Sequence, residues 1–205
     1  MRLRNWILLT VALLGVRAAS ADVFTIDADN SSGALCSVAS PCGTVTVTGT
    51  STLHVVISIS SGFGVFGNND TFGFNVVGST AGVTMSNFSD SLFNGHGGSG
   101  NEDGWGAFQF RVDGPGGSSD TSYLSFDVTR TGNPFSSPAD IEAGQWGSNV
   151  PSFTTFALHV RDNGSGLTGY AGVAPVASVP EPSSVMVLTA GLLGLGSLLR
   201  KRAKS

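Results

Sequence analysis

Three stretches of this chain carry residue types that do chemistry. In "DADNSSG", residues 27–33, Asp27 and Asp29 stand two apart as at the start of a calcium loop. The glycine comes one position late and no glutamate occupies the twelfth position, so the loop lacks its sharp turn and its bidentate ligand. Asn101, Glu102 and Asp103 form a second acidic knot. Weak calcium binding is the most these carboxylates imply, solvated turns being the plainer reading; no metal site and no cofactor is assigned. "GFGVFG", residues 62–67, spells G-x-G-x-x-G, but a dinucleotide needs a helix opening at once to meet its pyrophosphate. The next residues, "NNDTFGFNV", read as turn and strand, so hairpin glycines account for the motif.

His54, His96 and His159 are scattered, the first and last alternating outward on strands and His96 lying in a glycine run. The chain has neither H-E-x-x-H nor G-x-S-x-G, so zinc-hydrolase and serine-nucleophile readings find no support. A glycosidase needs two carboxyls facing across a cleft, and nothing singles out a pair. No enzyme is expected. Trp105 and Trp146, with Tyr123 and Tyr170, are the candidates for a sugar-stacking platform, against the simpler reading that they fill a core. Tyr123 runs out of phase with Leu124 and Phe126 and should face solvent or a second core.

The elements that must position these groups are strands. "TVTVTGT" puts Val45 and Val47 on one face and Thr44, Thr46 and Thr48 on the other. "WGAFQFRVD" aims Phe108, Phe110 and Val112 inward; "SYLSFDVTR" does so with Leu124, Phe126 and Val128, and "FALHVRD" with Phe156, Leu158 and Val160. "VFTID", "LHVVISIS", "FGFNVVG", "GVTMSNF" and "LTGYAGVA" complete nine candidates, separated by Gly/Pro/Asn/Asp turns. The expected fold is all-β, an antiparallel β-sandwich with jelly-roll-like connections. "FNGHGGSGNEDGW", residues 93–105, is expected to be its longest mobile loop.

Residues 22–182 hold three basic residues, Arg111, Arg130 and Arg161, against all fourteen acids, a net charge of −11 that the whole-chain value of −4 conceals. Such a surface repels phosphate backbones and excludes a nucleic-acid partner. All thirteen Phe lie here, enough for a core. Cys36 and Cys42 flank "SVASP"; a local disulfide is expected, worth about 2 kcal/mol through loop closure. The alternative, a zinc pair, wants ligands that the neighbourhood does not supply.

The two ends read as addresses. "MRLRNWILLTVALLGVRAASAD" has Arg2 and Arg4, an apolar run and small residues Ala19 and Ala21, the layout of a signal peptide cleaved after Ala21. At the other end a stalk, residues 173–182, closes on Val179, Pro180, Glu181 and Pro182. An apolar run comes next at 185–199, then Arg200, Lys201, Arg202 and Lys204. Fifteen helical residues cover about 22 Å of a hydrocarbon core about 30 Å thick, a short span whose basic end should stay cytoplasmic.

That order of proline turn, short apolar helix and basic terminus resembles the PEP-CTERM sorting signal of Gram-negative bacteria. The resemblance implies an exported protein, handed by a membrane sorting enzyme, exosortase, to the cell surface or its exopolysaccharide. The expected organisation is then a signal peptide (1–21), a β-sandwich ectodomain (22–172), the stalk (173–182) and a membrane helix with basic tail (183–205). The expected function is that of a non-catalytic surface or exopolysaccharide-associated protein. A carbohydrate-binding or calcium-dependent adhesive module is the alternative.

Overall fold

The computed structural model of this 205-residue chain describes residues 21–29, 35–67, 70–102, 105–116, 121–142 and 155–173. Trp146, Asp103, Ala19, the Pro-Glu-Pro stalk, the 185–199 run and the basic tail lie outside the described residues. Among the described residues no helix is long and apolar enough to cross a membrane. The chain divides into two units between residues 175 and 176, and every described residue belongs to the first.

The first elements are β1 (Ala21–Asp29), β2 (Gly43–Gly49), β3 (Thr52–Ile59), β4 (Phe63–Val65), β5 (Phe72–Phe74) and β6 (Val83–Ser86). After them come β7 (Asn94–Glu102), β8 (Gly106–Asp113), β9 (Tyr123–Arg130), the single-turn helix α1 (Ala139–Glu142), β10 (Phe156–Asp162) and β11 (Thr168–Val173). All strand pairs are antiparallel, and hydrogen bonds join them in one path, β6-β9-β3-β2-β1-β11-β10-β5-β8-β7, with β4 also on β10. The sequence predicts two sheets with jelly-roll-like connections; the ladder is instead a single sheet, rolled nearly shut. Its end strands meet without backbone pairing: Met85 of β6 packs where a Cβ on Gly95 of β7 would sit 2.5 Å from its sulfur. Only glycine allows that approach.

The alternation read from the sequence turns its apolar set inward except at Phe108, which joins Trp105 and Ala157 in a separate cluster. Val45, Val47, Leu124, Phe126, Val128 and Val160 are fully buried, and Phe156 and Leu158 nearly so. Phe72 lies at the centre, stacked on Phe156 with ring centroids 5.4 Å apart and edge-on to Phe126 at 6.0 Å. Tyr123 faces solvent, as its phase requires.

Two strands are not legible in the sequence. β4 occupies the middle of the G-x-G-x-x-G stretch, and the next element is strand β5, not a helix. β7 replaces the predicted mobile loop: "NGHGGSGNE" has no apolar alternation, yet it pairs along β8 from Asn94↔Asp113 to Glu102↔Gly106. Backbone hydrogen bonding to an available edge overrides the low strand propensity of glycine. A register shift between Gly97 and Gly100 accommodates the irregular stretch as a bulge.

Cys36 and Cys42 form the expected disulfide, with Cα atoms 5.3 Å apart. A small turn inside it is closed by Ser37 and Ser40, whose amides each donate to the other's carbonyl. Asp29, at the end of β1, accepts the Cys36 amide at 2.6 Å. One carboxylate of the candidate calcium loop is thus tied to the disulfide segment.

Candidate functional site

The polar groups brought closest together are ones that the sequence does not connect. Cross-strand register places Gly73 of β5, Arg111 of β8 and His96 of β7 in one row on the outer face. Asp113 ends β8, and Asp70 precedes β5 in the left-handed backbone region at φ 65°, which aspartate visits more readily than most residues. Several tethers hold Asp70 there: its amide donates to Asp113 Oδ1 at 2.9 Å and its carbonyl accepts the Tyr170 hydroxyl at 2.9 Å. Arg111 Nη1 donates to its carboxylate, and His96 Nε2 lies 3.2 Å from Asp113.

Asp70, His96 and Asp113 could each offer one ligand atom to a metal ion, these atoms lying within 4.8 Å of one another. Imidazole with two carboxylates is a donor set that divalent cations accept. Arg111 stands against that use, because its guanidinium already neutralises Asp70 and would repel an arriving cation. The group acts as an ionic brace joining the turn before β5 to β7, β8 and β11. Its central pair, Asp70 and Arg111, meets across β5 and β8 and lies 41 residues apart in sequence, so no local pattern discloses it.

Beside the brace, the outer face carries a second small core. Trp105, Phe108 and Ala157 are buried there, with Ala28 and Tyr170 packed against them. Trp105 is 8% exposed and its Nε1 donates to the Tyr170 carbonyl at 3.1 Å. Its faces are therefore covered, and of the two readings of Trp105 the structure places it in the core. Glu102, part of the acidic knot, is fully buried, with its Cγ 3.1 Å from where a Cβ on Gly73 would stand. His159 is sandwiched between Tyr170, stacked at 4.5 Å, and Phe66 at 4.7 Å. A glycine at 73 is what lets Phe108 and Glu102 lie flat on the sheet.

Elsewhere on the outer face, on β3 and β9, His54 Nδ1 pairs with Asp127 at 2.7 Å, and Asn87 donates to the other carboxylate oxygen at 2.8 Å. An imidazole and a carboxylate so joined are two parts of a nucleophilic triad. Among the described residues no hydroxyl or thiol is hydrogen-bonded to His54, so the third part is not there. The Asn87 hydrogen bond, with those from His54, holds the Asp127 carboxyl below its ordinary value, burial acting the other way. A depressed carboxyl stabilises the fold above its unfolded value near about pH 4, and that contribution is lost as pH falls through the folded value. Asn87→Ala is therefore expected to raise the Asp127 titration midpoint and flatten the acid limb of the stability curve. Carboxyl-carbon NMR titration of both proteins checks it; coincident midpoints would refute the assignment.

Where β6 and β7 diverge beyond the Met85 contact, a cleft of about 620 Å³ opens, lined among others by Ser79, Thr80, Gly97, Gly98, Gln109 and Phe110. Its wall at 77–79 is fastened by Arg130, buried to 7% exposure, which donates from Nη1 to the carbonyls of Val77 at 2.7 Å and Ser79 at 3.4 Å.

Fold and surface together define an all-antiparallel β domain, rolled nearly shut, with an ionic brace on one face and a neutral cleft at its seam. No family model, no curated protein and no solved structure matches the chain.

Proposed function

We propose that this chain is a non-catalytic exported protein, carried to the cell surface or exopolysaccharide of a Gram-negative bacterium and processed through its PEP-CTERM-like tail. The order of the last residues carries the reading: Val179-Pro180-Glu181-Pro182, a short apolar run, then Arg200, Lys201, Arg202 and Lys204. Prolines lack an amide donor and resist helix, which keeps the segment extended where an exosortase-like membrane enzyme can grip it. In this reading a signal peptide ending at Ala21 and a transmembrane helix at 185–199 flank the β domain. The Cys36–Cys42 disulfide supports export, since such bonds persist in oxidising compartments. The acidic ectodomain supports it too, because its charge repels nucleic acid.

Mature protein from the native host is expected to lack "RKRAKS", and a chain carrying Pro180→Ala with Pro182→Ala is expected to keep it. Intact-mass measurement decides between them. A wild-type mass that still includes the six terminal residues would leave only a plain membrane anchor.

A further inference from the structure

We infer that the cleft between β6 and β7 binds a neutral glycan chain. Only the compartment, outside the cytoplasm where such chains are met, rests on the proposed function. At about 620 Å³ the cleft falls within the range of small-ligand sites. Among the described residues that line it, none is charged. A net charge of −11 over residues 22–182 further disfavours an acidic polymer, and nothing in the cleft offers a counter-charge to a cationic one.

What the cleft does offer matches vicinal hydroxyls. Thr80 is exposed where it lines the cleft, and Ser79 keeps a donor after its oxygen accepts the Ala81 amide at 3.1 Å. Gln109 is oriented by its Oε1, which accepts the Val76 amide at 2.9 Å; its NH₂ is then the end left to donate. Phe110, 4% exposed and stacked on Phe74 at 5.5 Å, closes the cleft below as an apolar floor without an open ring face, so the contacts left to a sugar are polar ones. Gly98 stands at φ 121° with nothing within 4 Å of where a Cβ would be, so a ring can approach the backbone of β7 closely.

The rival occupant for an unpaired strand edge is an extended peptide that adds a strand. Two features oppose it. The register shift between Gly97 and Gly100 interrupts the ladder a new strand would need, as bulges on edges do. Met85 packed on Gly95 closes the other end of the seam. The space left between them is a short pocket suited to a few sugar units.

The test is amide-shift NMR of the full chain in detergent micelles, titrated with cellohexaose and maltohexaose, an oligogalacturonate, and a Val/Thr hexapeptide. Shifts at Ser79, Thr80, Gly97, Gly98 and Gln109 are expected with at least one neutral hexasaccharide, at weak affinity near about 1 mM. Gly97→Val, whose Cβ would meet Phe110 at an ordinary 3.4 Å, fills the cleft without backbone strain and should weaken binding roughly tenfold. Thr80→Ala removes one hydroxyl and should weaken it roughly threefold. No shift with either neutral chain, binding unchanged in Gly97→Val, or preferential binding of the uronate or the peptide would each overturn the inference. Tail processing is read separately by mass, so failure of one reading does not imply failure of the other.

Discussion

Phe72→Ala should lower the unfolding free energy by about 3–5 kcal/mol, the largest effect expected from a single core truncation here. Phe72 is fully buried and lies against Phe74, Phe126 and Phe156, so four strands, β5, β9, β10 and the neighbouring β8, lean on one ring. Those rings come from opposite walls of a rolled sheet and cannot collapse into the void without shearing hydrogen-bonded ladders. The cost therefore sits at the upper part of the range for such cavities. Phe72→Leu refills much of the space and should cost under about 1.5 kcal/mol. Phe88→Ala, at a partly buried ring stacked 5.2 Å from Phe126, should fall between them. Urea unfolding of the three variants checks the order. A Phe72→Ala loss below about 2 kcal/mol would mean that the walls can close, and that the roll is softer than its geometry states. Against a typical domain stability of about 5–15 kcal/mol, the expected loss is a large share of the whole.

The same core explains why most strands are legible in the sequence. Period-2 alternation is imposed wherever one face of a sheet is dry, and Val45/Val47, Leu124/Phe126/Val128 and Phe156/Leu158/Val160 record it directly. β7 keeps no such record, because its inward positions are glycines that make room for Met85 and Phe110 instead of contributing side chains. Its strand is written in the partner, β8. Sheet order is illegible for a related reason: alternation says which residues face inward but not which strand lies beside which. A two-sheet sandwich and a single rolled sheet ask for the same pattern.

Residue chemistry is legible only where it is local. Cys36 and Cys42 are six apart, and their bond is suggested by that short spacing alone. The brace of Asp70, His96, Arg111 and Asp113 depends on which strands adjoin, so in sequence its members look like unrelated turn and strand residues. Trp105 fits either platform or core on sequence alone. The deciding fact, the hydrogen bond from its indole to the Tyr170 carbonyl, spans 65 residues. Glu102 reads as part of a solvated acidic knot, yet a glycine at 73 lets it lie flat and buried against the sheet.

Arg130→Ala should cost about 3 kcal/mol and disturb the seam cleft as well. The Arg130 guanidinium donates to backbone acceptors, Asn133 from Nε at 2.5 Å and Val77 and Ser79 from Nη1, while it rests 4.5 Å above the Phe135 ring. Deleting it empties the buried place of the Arg130 side chain, takes the donor from each of these carbonyls, at about 1–3 kcal/mol where solvent cannot replace it, and removes the contact over the ring. Arg130→Lys keeps the charge but replaces a planar fork with a point donor that cannot serve the 77–79 and 133 carbonyls together, so a loss of about 1–2 kcal/mol is expected. For a domain of this size about 3 kcal/mol is about 6–12 °C in melting temperature, which calorimetry resolves. Because Arg130 holds the carbonyls of Val77 and Ser79 on either side of Gly78 in the cleft lining, amide shifts in the lysine variant should concentrate at 77–80 and spare the brace around Asp70. Shifts spread evenly over both regions, or a stability loss below about 1 kcal/mol in the alanine variant, would show that solvent satisfies the freed carbonyls and that the cleft wall stands without its arginine.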